Sequence, residues 1–309
     1  MPHARIILNH RLRIFVLIAA ALALPGMASS EDISLYTGTP SGGGKPNVLL
    51  VLDNADAGNA AVTIPSGSNC PSWIASNPKD LDFEQCALYQ LVSAVGTSGN
   101  SLNGDLNMGL MMFAPNSTGG GLFFYPNPSP TPPGPLPLMD TTGASNFLKA
   151  IAGTPGGGTG TGMAFGNGAN KLDESMEEAW AYYTASTGIS GTKYAKSITD
   201  KCQKNFIIYL ANVTGNNAPK TANSVTPAQQ TLTTANGGTT PPIIQLNPSG
   251  DQQNWGDEWT RFMYNADLSG IDPSIAHNPQ NIITYTIAVS DGCEATKAKC
   301  SDHINLIKS

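Results

Sequence analysis

Hydrophobic positions along this chain alternate between short unbroken runs and helical spacings. Val48-Leu49-Leu50-Val51-Leu52 is apolar throughout and predicts a central strand over Asn47 to Asp53. From Leu81 to Val95 the residues Phe83, Ala87, Leu88, Leu91, Val92 and Val95 recur at helical spacing, with acidic residues in the first turn and Gly96 after the end. Asn107 to Ala114 reads as a second strand, and Gly121-Leu122-Phe123-Phe124-Tyr125 as its hairpin partner after Gly119-Gly120. A short helix is expected over Ala144 to Ile151. A longer one is expected from about Ala169 to Ala185, with Leu172, Met176, Ala179, Trp180 and Tyr183 on its packed face. Asn205 to Leu210 is a third strong strand ending at Ala211-Asn212. The polar stretch from Val213 to about Asp251 shows no periodicity and reads as an insertion. A helix over Asp257 to Asp267, a strand over Ile282 to Val289 and the start of a helix at Asp302 to Ser309 complete the pattern.

Strands that alternate with helical segments predict an α/β fold, a doubly wound and mostly parallel sheet with long loop insertions. In such a sheet, ligands bind at the carboxyl ends of the strands. The loop Asp53-Asn54-Ala55-Asp56-Ala57, the glycine-rich Gly153 to Gly162 and the loop after Asn212 should all lie there. The Asp53 loop has the position and acidity of a cation or ligand site. Ile282 to Val289 is expected at an unprotected edge, open to pairing with another chain or left bare by a C-terminal end that stops short of the full fold.

The N-terminus changes the picture of where this fold works. Arg5, Arg11 and Arg13 precede the apolar Ile14 to Leu24 and the small-residue zone Pro25 to Ser30, the layout of a secretory signal over residues 1–30. An arm and linker over residues 31–46 follow, including Asp32 to Tyr36 as a short strand or extended arm, and the domain proper spans 47–309. Loss of three of the 16 Lys and Arg against 22 unchanged Asp and Glu takes the formal charge from −6 to −9. So acidic a chain has no electrostatic attraction to nucleic acid or anionic lipid. The 33 Gly and 23 Pro are clustered, which places them in long loops of a globular frame. No other segment has the length and apolarity of a membrane span, so the expected product is exported, to the periplasm or beyond it.

In an oxidising compartment the close pairs Cys70/Cys86 and Cys293/Cys300 are candidate loop-closing disulfides, with Cys202 left over. Material for catalysis is scarce. Only His277 and His303 remain after the signal, and neither a Gly-x-Ser-x-Gly elbow nor a His-Glu-x-x-His motif is present. The glycine-rich loop lacks the Gly-Lys-Ser/Thr of a phosphate-binding loop. The acidic group Asp173, Glu174, Glu177 and Glu178 reads as the solvated face of a helix, and Trp255, Trp259 and Phe262 as core or interface anchors.

Lys45-Pro46-Asn47-Val48-Leu49-Leu50-Val51-Leu52-Asp53-Asn54 resembles the entry strand of a von Willebrand factor A domain, in particular that of the PilC/PilY family of type IV pilus-associated tip proteins. Cys202 to Tyr209, Asp257 to Asn265 and Ile283 to Val289 resemble three further segments of that family in the same order. The resemblance implies a von Willebrand A-like fold and a role in pilus assembly or adhesion, with pilus subunits, other assembly proteins or a surface ligand as partners and no catalysis. It also implies a metal-ion-dependent adhesion site for Mg²⁺ or Ca²⁺ in which Asp53 takes the first position, Asp56 is an off-pattern second acid and Thr159 or Thr161 supplies the hydroxyl. Ala55 and Ala57 stand where the family has serines, and Asn212 stands where it has an aspartate. The expectation is therefore a degenerate site whose Asn54 and Asn212 form a binding edge without metal.

Overall fold

Six consecutive residues with less than a tenth of their surface exposed, Asn47–Leu52, form strand β1 at the centre of the sheet. The computed structural model describes residues 44–54, 63–64, 67–74, 78, 80–113, 120–126, 134–152, 163, 171–200, 202–212, 226–243, 255–270, 279–289, 304 and 306. The other described elements, in chain order, are α1 (Asp80–Val95), β2 (Asn107–Phe113), β3 (Gly121–Tyr125), α2 (Thr141–Ala152), α3 (Leu172–Tyr183), β4 (Asn205–Asn212), α4 (Pro227–Ala235), α5 (Gly256–Asn265) and β5 (Ile282–Val289). The strands lie in the order β3-β2-β1-β4-β5. β1, β2, β4 and β5 are mutually parallel, and β3 alone runs antiparallel, as a hairpin on β2.

β1 is apolar at every position after Asn47 because both of its faces are covered. Leu49 and Val51 join a core built from α3, α4 and α5, where Met176, Tyr182, Leu232 and Trp259 are fully buried. Val48, Leu50 and Leu52 join a second core built from α1 and α2, with Val92, Phe147 and Ile151. The α/β expectation and its mostly parallel sheet are met, and β5 lies at the edge among the described strands.

A row of amides sets the register at the opposite end from the carboxyl edge. Asn107, Asn47 and Asn205 are directly paired across β2, β1 and β4. The Asn107 amide donates to Asn47 Oδ1 at 3.1 Å, and the Asn47 amide donates to Asn205 Oδ1 at 3.0 Å. Gln203 adds a bond to Asn47 Oδ1 at 3.2 Å and one to the Lys45 carbonyl at 2.7 Å. Buried amides need partners, and a slip of β1 would break the Asn47 bonds to both neighbouring strands.

Three expectations are corrected. The stretch Val213 to Asp251 is not a helix-free insertion, because α4 lies within it. Thr226 caps its N-terminus by accepting the Gln229 N–H at 3.1 Å, Pro227 takes the first turn, and Ala228 and Leu232 are buried. On α1, only part of the apolar set reaches the core: Leu88, Val92 and Val95 are buried, whereas Phe83, Ala87 and Leu91 are exposed. The acidic residues of α3 are not a solvated face, since Asp173, Glu177 and Glu178 are buried.

Cys70 and Cys86 form a disulfide with a Cα separation of 5.2 Å, which ties the loop of residues 67–74 to α1. Cys202 is half-buried and outside any disulfide among the described residues. Cys293, Cys300, the expected signal over 1–30, the expected arm up to residue 43, His277 and His303 lie outside the described residues. Trp255 and Trp259 are buried, and Phe262 packs edge-on to Trp259 at 5.9 Å. No described helix is long and apolar enough to cross a membrane.

Candidate functional site

β1 and β4 are neighbours, yet the helices that follow them pack on opposite faces: α1 belongs to one core and α4 with α5 to the other. Such a switch point opens a crevice at the carboxyl ends of the two strands. Asp53 and Asn54 directly follow β1, and Asn212 is the last residue of β4. All three are about 1 % exposed.

Backbone and side chains lock this edge together. The Asp53 N–H donates to the Leu210 carbonyl at 2.9 Å, continuing the ladder past the end of β1. Asn212 Nδ2 donates to the Asp53 carbonyl at 3.1 Å and so bridges the two strand ends. Tyr209 places its hydroxyl 3.5 Å from Asp53 Oδ2 and stacks on Phe113, with ring centroids 6.2 Å apart. The structure thus brings together Asp53, Asn54 and Asn212 and adds Tyr209, which the sequence pattern did not single out. Its signal was a hydroxyl within an otherwise apolar strand.

An octahedral Mg²⁺ takes about six oxygens, and Ca²⁺ six to eight. The described edge offers one carboxylate, Asp53, and two carboxamides, and the Asn212 amide nitrogen is turned toward Asp53. Among the described residues no group of three or more His, Cys, Asp and Glu could hold a metal. Of the residues that the resemblance assigns to metal, Asp53 is the one among the described residues. Asp56, Thr159 and Thr161 lie outside the described residues.

A second polar assembly lies on α3. The loop after α3 folds back over the helix, pinned by a bridge between Thr187 and Lys193. Glu177 accepts the Ile189 N–H at 2.9 Å, and Glu178 accepts the Ser190 N–H at 2.9 Å together with the Ser190 and Tyr194 hydroxyls. Gly188 and Gly120 approach the Glu178 carboxylate so closely that neither position has room for a Cβ. Glu174 accepts the Gly120 N–H and the Lys171 ammonium, both at 3.1 Å.

Burial dominates the electrostatics of this cluster. Desolvation, then the neighbouring Glu174 charge, pushes Asp173 up to about 6. Desolvation pushes Glu177 up to about 8 against the opposing hydrogen bond from Ile189, with Glu178 and Glu174 adding to the rise. Glu178 is also raised by burial, and its bonds from Ser190 and Tyr194 pull the other way. Glu177 and Glu178 hold the loop to the helix.

The described residues define an α/β domain with a mixed five-stranded sheet, five helices and a polar switch-point edge. Comparison with protein-family models, curated proteins and solved structures found no match.

Proposed function

We propose that this chain is an exported, non-catalytic binding module of the von Willebrand A-like, PilC/PilY kind, which acts in type IV pilus assembly or adhesion by gripping a pilus subunit or surface ligand at the carboxyl edge of its sheet. The observation that carries this reading is the bridge between Asp53 and Asn212 at the switch point. The residues that take the first and third positions of the implied adhesion site meet there, with an amide in place of the second acid. The four segments that carry the resemblance coincide with β1, β4, α5 and β5, which supports the same reading. A neutral amide beside a single carboxylate suits hydrogen bonding to a polypeptide better than it suits holding a divalent ion.

The test is biolayer interferometry of the mature chain, without residues 1–30, against purified major and minor pilins. Expected is saturable binding that weakens at least tenfold in Asn54→Ala or Asn212→Ala, with a lower thermal midpoint as well in Asn212→Ala, which removes the bond to the Asp53 carbonyl. Binding that is absent, or indifferent to both substitutions, removes the proposal. Calorimetry with millimolar Mg²⁺ or Ca²⁺ should give no saturable heat. A one-to-one heat would instead favour a metal-dependent adhesion site at the Asp53 loop.

A further inference from the structure

The two cores cover the sheet unequally. On the side of α3, α4 and α5, β4 is buried at Ile207, Tyr209 and Ala211. On the side of α1 and α2, helices cover β1, β2 and β3, and the β4–β5 half has no described helix over it. Register places Phe206, Ile208 and Leu210 of β4 beside Ile283, Tyr285 and Ile287 of β5 on that face. Ile208, Leu210, Ile283 and Tyr285 are only partly buried, and Ile287 is 51 % exposed. Parallel strands are ordinarily covered on both faces, and among the described residues this apolar floor has no covering helix.

The wall of the same trough is the free flank of α1. Tyr89, Ser93 and Gly96 face α2 across a shared cleft with Thr141, Ala144 and Leu148, and α2 lies over β3, where Phe147 stacks on Tyr125 at 4.3 Å. At about 100° per residue, Phe83, Ala87, Leu91 and Ala94 fall on the opposite flank, toward β4 and β5. All four are exposed, Phe83 at 37 % and Leu91 at 42 %. Among the described residues, then, an apolar helix ridge with no sheet beneath it lies next to an apolar sheet floor with no helix above it.

The two surfaces match in size. α1 has 16 residues, about 24 Å of helix, and β5 has eight, about 26 Å of strand. A floor two strands wide, roughly 10 Å, accepts a helix about 10 Å across. Ridge and floor together give a footprint of roughly 500 Å² per copy, or about 1,000 Å² in a pair before corrugation, at the lower bound for a specific interface. β5 (Ile-Ile-Thr-Tyr-Thr-Ile-Ala-Val) carries no charge or proline to guard it against association. We propose that the chain forms a two-fold dimer in which α1 of each copy lies in the β4–β5 trough of the other, an isologous contact that satisfies both surfaces at once.

Sedimentation equilibrium of the mature chain from about 1 to 100 µM tests this. The expected result is twice the monomer mass in the upper part of that range, with Phe83→Glu and Ile287→Glu each returning the monomer mass. Both positions are exposed, so both variants should keep the wild-type circular dichroism spectrum. Leu91→Lys is the second ridge variant should Phe83→Glu fold poorly. A monomer at 100 µM overturns the proposal and leaves the trough to a helix from another protein. A dimer indifferent to substitution on both ridge and floor overturns it as well, because the contact then lies elsewhere.

Discussion

Glu177 shows how burial reverses the reading of a single residue. By spacing alone it belongs to an acidic helix face near an N-terminus, where charge is favoured. In the fold it is 1 % exposed and holds the Ile189 N–H. Native Glu177 keeps its proton to about pH 8, whereas the free side chain gives it up near 4.5. The folded state therefore binds more protons between those values, and its stability falls as pH rises through that window. Asp173, raised from 3.8 to about 6, acts in the same direction over a lower range. Glu177→Gln keeps the shape and removes the ionisation. It should raise stability at pH 8 by on the order of 1 kcal/mol and flatten the pH dependence between 5 and 8, read from urea midpoints. A variant less stable than wild type at pH 8 would show that the ionised carboxylate is the form that holds the loop. The chain order cannot announce this burial, because the covering loop follows α3 and its return over the helix depends on Gly188 and Ser190 finding the carboxylates.

At the scale of elements, every described strand was legible and one described helix was not. β1 and β4 are unbroken apolar runs because helices cover both of their faces, and that pattern survives in the sequence. α4 was missed because its apolar stripe is only Ala228 and Leu232, too thin for a periodicity, although Thr226-Pro227 carried a capping signal. Asn47 gives β1 its register through amides on both neighbouring strands. Asn47→Ala should cost about 2–3 kcal/mol by leaving these buried amides without partners, measured by urea denaturation; a loss near zero would mean that the apolar pairing alone fixes the register. The Cys70–Cys86 disulfide closes a loop of sequence separation 16. Replacing both cysteines by serine should lower stability by about 3 kcal/mol, seen as a drop in thermal midpoint that a reducing agent reproduces in the wild type.

The described residues form one sheet with two cores, and each core depends on the other through β1. Trp259 anchors one side, fully buried with its Nε1 donating to the Ala228 carbonyl at 3.2 Å. Phe147 anchors the other, fully buried against Tyr125. Trp259→Ala and Phe147→Ala should each cost about 3–5 kcal/mol, and each should shift a single unfolding transition seen by both tryptophan fluorescence and circular dichroism. Two separate transitions would mean that the faces unfold independently. Of the candidate edge, the sequence located Asp53, Asn54 and Asn212 at strand ends, since apolar runs stop where backbone leaves the sheet. By itself it determined the α/β class, the strands and their polar endings, because local periodicity and burial are written in consecutive residues. Only the tertiary structure decided that Asn212 bridges to Asp53, that acids on α3 are buried, and that Phe83 and Leu91 remain exposed. Those outcomes depend on which distant segment arrives to cover a surface, and no local pattern encodes that arrival.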